Sequence, residues 1–241
     1  MIGRTTMTVI VFLTVAALAG GCAEGRESLA SETREVEGFD GVVLSGIGDL
    51  TVTQGEKESL TVEADRQLLP EIATEVRGSM LHISFEEAWP TFLRVGLAKP
   101  IRYSLTMKDV SSLQLKGAGN IKASDIQTER LDLMVSGAGS ITVDSLDADM
   151  LAVTLSGAGG CRVKGEATEQ TVSVTGAGGY EGGVLETGRT DVSVTGLGGA
   201  IIWATEKLDV TLNGVGGVAY YGGPEVTQRV TGLGKVTRWA R

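Results

Sequence analysis

Apolar residues recur in fixed columns along most of this chain. The frame is a short Gly-x-Gly segment that appears eight times, with first glycines at Gly46, Gly117, Gly137, Gly157, Gly176, Gly196, Gly214 and Gly232. Two residues before them stand Leu44, Leu115, Val135, Leu155, Val174, Val194, Leu212 and Val230. Four residues before stand Val42, Leu113, Leu133, Val153, Val172, Val192, Val210 and a single polar member, Gln228. Four residues after stand Leu50, Ile121, Ile141, Cys161, Tyr180, Ala200, Val218 and Val236. Alternation of period two on both sides of each segment predicts strands with one buried face. The alternation changes phase across the glycines, so the chain bends there, and glycine supplies the backbone freedom that a corner needs.

After a gap of 71 residues, the steps between first glycines are 20, 20, 19, 20, 18 and 18. A fixed period near 20 residues is the mark of a stacked repeat. Identical columns in successive coils imply parallel strands about 4.8 Å apart, with like side chains laddered along the axis. The column just before the glycines (Ser136, Ser156, Thr175, Thr195, Thr231) is expected to form a hydroxyl ladder or corner bonds. Cys161, aligned with Ile121 and Ile141, is expected in the core.

The region before the regular coils alternates as well. Strands are predicted around Leu60–Ala64, Glu71–Val76, Met80–Phe85 and Ile101–Met107, while Trp89-Pro90 and Lys99-Pro100 mark an irregular loop. A repeat array needs its open end covered, so residues 37–112 read as a strand meander capping the amino-terminal end.

The Gly-x-Gly coils, the Phe39-Asp40 entry and the lead-in from Ile101 to Leu115 together resemble the head GIN domain family. This is an adhesin-like domain of unknown function, common in bacterial surface and periplasmic lipoproteins. The resemblance spans residues 37–241 and implies an all-β, right-handed parallel β-solenoid (a β-helix) with coils of about 20 residues. It also implies an exported location, and it brings no catalytic residues.

The first 21 residues alter the picture of the cell address. Arg4 precedes an apolar run from Thr8 to Ala19, followed by Ala19-Gly20-Gly21. This is the layout of a signal peptide, and the run is too short to span a bilayer comfortably. Leu18-Ala19-Gly20-Gly21-Cys22 resembles a lipoprotein cleavage box, which implies cleavage before Cys22 and acylation of its thiol. Two or three acyl chains make such an anchor stable. Ala23 after the cysteine favours outer-membrane sorting under the enteric rule. Residues 22–36 are polar and read as a flexible tether carrying the lipidated Cys22.

Charge and composition narrow the functional classes. The net charge is −9, and removing residues 1–21, whose one charged side chain is Arg4, leaves 20 basic against 30 acidic residues. An acidic chain with no basic cluster opposes nucleic-acid binding. A phosphate-binding glycine loop requires a following helix, whereas a strand pattern follows every copy here. The lone histidine, His82, lies within a strand pattern and suits a surface position. With one histidine and one cysteine beyond Cys22, no metal-ligating cluster or cofactor site is expected. Asp125, Glu129, Asp132, Asp144, Asp147 and Asp149 are scattered without a repeated pair, which argues against a carbohydrate-active enzyme on this scaffold.

One column departs from the background. Seven residues after the first glycine stand Ser124, Asp144, Lys164, Gly183, Trp203, Tyr221 and Trp239, with Tyr220 adjacent. Two roles fit the aromatic members: a stacking surface for a glycan or protein partner, or closure of the final coil. The expected function is a non-catalytic, lipid-anchored envelope interaction module, possible self-association included. A structural or accessory periplasmic protein of a membrane signalling system is the alternative.

Overall fold

The computed structural model describes residues 29–85 and 100–240. The signal segment 1–21, Cys22 and most of the irregular loop with Trp89 and Pro90 lie outside the described residues. The chain builds a β-solenoid of about six turns, with coils of about 20 residues, and the described residues form sixteen strands in one continuous sheet.

The regular body consists of β9 (Ala118–Val135), β10 (Ala138–Leu155), β11 (Ala158–Val174), β12 (Gly179–Val194) and β13 (Gly199–Leu212). It closes with the shorter β14 (Val215–Tyr221), β15 (Glu225–Val230) and β16 (Leu233–Arg238). All successive pairs are parallel, and like columns meet: Ile121 pairs with Ile141, and Ile141 with Cys161.

Each long strand is bent into three sides. Between β9 and β10 the register runs 118–123, 125–128 and 130–135, and it skips positions 124 and 129. At those positions the chain turns, so the inward residues move from Ile121 and Ala123 to Ile126 and then to Leu131, Leu133 and Val135. The glycine corner is the third turn. Its backbone is satisfied from the coil below: Ser136 and Gly137 donate to the Leu115 carbonyl at 2.9 and 3.2 Å, and Ala138 to Gly117 at 3.0 Å. Inside the prism, Val, Leu and Ile ladders form one core from Phe39 to Val218.

The amino-terminal cap is interleaved with the first coils. β2 (Gly41–Leu44) and β3 (Ile47–Gln54) sit in register with the repeats, β2 pairing parallel to β8 (Ser112–Leu115) and β3 to β9. Residues 55–111, between β3 and β8, leave the stack and return to it. They contribute β6 (Met80–Phe85), which pairs parallel to β2, and β7 (Arg102–Met107), which pairs parallel to β3. Only the outer layer runs antiparallel: β4 (Ser59–Asp65) on β7, β5 (Ile72–Arg77) on β6, and β1 (Leu29–Arg34) on β4.

The tether expected over residues 22–36 is therefore too long, because Leu29–Arg34 is an ordered strand. The reason is Arg34, which lies beneath the cap. It donates through Nη2 to the Leu69 carbonyl at 2.9 Å and through Nη1 to the Ile72 carbonyl and to Thr74 Oγ1. Its Nε meets Glu32 Oε1 at 3.0 Å. The polar sequence of β1 hides an edge strand held by hydrogen bonds rather than by apolar burial.

Candidate functional site

Outward positions alternate with the core ladder, so each side of the prism displays columns of one residue per coil. Many are polar, and several are cross-linked between coils. Asp144 lies between Lys122 at 3.1 Å and Lys164 at 3.4 Å, and the Lys122 contact is the chief cause of its carboxyl being held below the usual range. Arg189 reaches Glu169 at 3.3 Å on one neighbouring coil and Glu206 at 3.8 Å on the other. The six acidic residues singled out from sequence occupy such surface positions or the corners.

The hydroxyl column before the glycines behaves differently from expectation. Within it, Thr231 bonds to Asn213. A continuous side-chain ladder instead runs three residues after the first glycine, where Asn120 Nδ2 donates to Asp49 Oδ1 at 2.9 Å and Ser140 Oγ to Asn120 Oδ1 at 2.8 Å. In later coils that column becomes Gly160, Gly179, Gly199 and Gly217, then Lys235.

The aromatic column assembles as the period predicts at its carboxy-terminal end. Trp203 pairs with Tyr221, and the Trp239 amide donates to the Tyr220 carbonyl at 2.8 Å, which sets Trp239 beside Tyr221. The Tyr221 and Trp239 rings meet edge to face, with centroids 5.7 Å apart and planes at 73°. Tyr220 does not join them, because it packs against the core. One coil earlier the column slips: Trp203 pairs with Glu186, not Gly183, since β12 carries extra residues between Gly182 and Glu186.

Two adjoining hollows lie on this side. The first, of about 440 Å³, has Gly179, Gly199 and Gly217 along it and Glu181, Ile201, Lys235 and Trp239 around it. The second, of about 510 Å³, lies among Arg162, Lys164, Glu181, Gly183, Ile201 and Tyr221. Glycine spacing signalled corners in the sequence, and the trough was invisible there because it depends on columns from five strands lining up.

The interior holds Cys161, fully buried as its column predicts, with its thiol pushed up by desolvation. Beside it in strand register, Tyr180 is buried, and its hydroxyl oxygen accepts a hydrogen bond from Gln170 Nε2. His82 sits half-buried in β6 opposite Glu75, in keeping with a surface strand. Among the described residues no three His, Cys, Asp or Glu side chains cluster as metal ligands, and no helix is long and apolar enough to cross a membrane.

Solved structures share this architecture. A "putative adhesin" of Bacteroides fragilis NCTC 9343 superposes with a TM-score of 0.81 at 22% identity, covering 88% of this chain and 98% of that one. A "putative lipid binding protein" of Parabacteroides distasonis ATCC 8503 gives 0.71 at 20% identity, covering 90% and 98%. A "putative adhesin" of Parabacteroides merdae ATCC 43184 gives 0.67 at 20%, with the same coverage. At these identities the likeness establishes the fold. No curated protein sequence matches the chain. Residues 38–224 match the family described as "Putative auto-transporter adhesin, head GIN domain", and with most of the solenoid inside that match the chain belongs to the head GIN domain family.

Proposed function

We propose that this protein is a non-catalytic interaction module of the bacterial cell envelope, exported by residues 1–21 and anchored through lipid on Cys22. In this reading it meets macromolecular partners through the outer faces of its carboxy-terminal coils. The observation that carries the proposal is the polarity of the solenoid. β1 lies at one end of the sheet order, behind the cap, and β16 at the other. Six of the nine large apolar residues exposed among the described residues fall after residue 180, with Leu197 at 69% and Leu233 at 82% exposure. An anchor before β1 leaves this apolar, aromatic end facing away from the lipid, where a partner can reach it. The adhesin-type family points the same way.

Palmitate labelling of wild type and Cys22→Ala, combined with protease shaving of intact cells, tests the reading. Label on the wild type alone and cleavage on intact cells are the expected results. An unlabelled wild type removes the anchor. Labelling with full protection from protease favours the accessory periplasmic role instead.

A further inference from the structure

The two hollows share Glu181 and Ile201 and so form one trough across β11 to β16. Their volumes fall within the roughly 300–1,000 Å³ usual for small-molecule sites. At their junction the Tyr221 ring is held from two sides. A Cβ added at Gly183 would stand 3.1 Å from Tyr221 Cε2 and 2.9 Å from Ile201 Cγ2, so the ring rests close over a residue without a side chain. The Trp239 ring braces it at 5.7 Å. A ring fixed in this way loses little freedom when a ligand stacks on it.

Beside the ring, Arg162 and Glu181 form a fixed pair, Nε and Nη2 both reaching Oε2 at 2.6 and 2.5 Å. A guanidinium has five donors and a carboxylate about four acceptor sites, so the pair retains capacity of both kinds. Lys164 is partnered by Asp144. With Lys235 at its far end, the trough and Asp144 together hold three cations against two carboxylates, a net charge too small to recruit a polyanion and one that suits an uncharged polyhydroxyl ligand better. A polypeptide is disfavoured for a separate reason. The trough floor is the face of a parallel sheet whose backbone groups are already paired from Gly179 through Gly199 to Gly217. The open edge of the terminal strand β16 lies at one end of the trough, so an added strand would extend the sheet there and leave the Tyr221 face uncovered.

We propose that this trough binds a neutral oligosaccharide, with Tyr221 stacking on a pyranose ring while Arg162 and Glu181 exchange hydrogen bonds with its hydroxyls. The proposal rests on the interaction-module reading and supplies its ligand class. The bare outer positions Gly179 and Gly217 let a sugar ring come close to the sheet. At Gly179 an added Cβ would meet nothing within 4 Å, so the fold itself does not demand glycine there.

The test uses the purified full chain with neutral hexaoses of β-1,4-glucose, β-1,4-N-acetylglucosamine and α-1,6-mannose, a neutral glycan array, and oligogalacturonate as the anionic comparison. Tryptophan fluorescence and saturation-transfer NMR report binding. At least one neutral glycan is expected to bind, Tyr221→Ala to weaken it roughly tenfold, the scale of one aromatic stacking contact, and Tyr221→Phe to retain it. Gly183→Ala should weaken it by displacing the ring, and Met150→Ala, on a distant coil, should leave it unchanged. Silence across all neutral glycans, tighter binding of oligogalacturonate, or a folded Tyr221→Ala variant that binds as the wild type does would each overturn the assignment. If intact cells still present a bound partner in those cases, the sugar is wrong and the interaction-module reading stands. Hexaose binding by a protein that is neither labelled nor exposed would give the converse.

Discussion

Gly137 stands directly over Gly117, so closely that a Cβ on Gly137 would fall 1.9 Å from the Gly117 carbonyl oxygen. The same relation recurs at Gly157, Gly176, Gly196, Gly214 and Gly232, each at 2.0 to 2.2 Å from the carbonyl oxygen of the preceding first glycine. The first glycine of each corner is therefore required for clearance between stacked backbones. The second glycine, as in Gly139 with φ +148°, answers clearance and conformation together.

A direct contrast follows from this geometry. Gly137→Ala should lower stability by about 2–3 kcal/mol, the scale of overpacking against a rigid neighbour. Gly179→Ala, with open space around its added methyl, should be neutral or stabilise by up to about 1 kcal/mol by restricting the unfolded chain. Urea unfolding of both variants measures the difference, and equal losses would refute the clearance argument.

Arg34 is the pin of the outermost strand. Arg34→Ala removes its bonds to the Leu69 and Ile72 carbonyls and should cost about 2–4 kcal/mol, the range for charged hydrogen bonds lost from a buried site. Amide exchange should rise first in Leu29–Arg34 and in its partner Ser59–Asp65, leaving β9 to β13 protected. Loss of protection throughout the solenoid would show that the cap and coils unfold as one.

Burial raises the ionisation of Cys161, Tyr103 and Tyr180 above their ordinary values. The folded state thus holds protons that the unfolded chain releases above about pH 8.5 for the thiol and about pH 10 for the phenols. Stability contributed by these groups is fully present below those values and is lost as pH rises, with a limiting slope of about 1.4 kcal/mol per pH unit for each group. Melting temperatures followed from pH 7 to 11 should fall in two stages. Cys161→Ala should remove the first stage, and in the wild type the thiol should stay inert to thiol reagents until the chain opens.

Gln170 and Tyr180 form a polar pair in the interior, with the buried Thr187–Thr190 pair on the next coil. Tyr180→Phe leaves the Gln170 amide without its partner and should cost about 1–3 kcal/mol. Replacing both, with Gln170→Leu and Tyr180→Phe, should recover much of that loss, because two unpaired polar groups disappear together. A double-mutant cycle by thermal unfolding reads the coupling. Additive losses would mean that the pair carries no interaction of its own.

The period, the strands and the core columns were legible from the chain because every coil repeats the same local problem. Leu133, Val153, Val172 and Val192 face inward in successive coils, and each sits above its counterpart. Cys161 could be placed in the core for the same reason. β1 was missed because its stability comes from Arg34 reaching residues 35 to 40 positions away, which no local pattern records. Tyr220 was grouped with the aromatic column by adjacency, yet strand alternation turns its ring inward while Tyr221 faces the trough.

By itself the sequence determined the repeating coil, its apolar interior and the glycine at each corner, since these follow from backbone clearance and period-two burial within one coil and its neighbour. Only the tertiary structure decided that Gly46 and Gly117 are adjacent despite 70 intervening residues, that each coil has three sides, and that Arg162, Glu181, Gly183 and Tyr221 share one trough. Those outcomes depend on which strands fill the open edge of the first coil and on the register shifts in later coils. Both are set by packing among distant segments and leave no period to read along the chain.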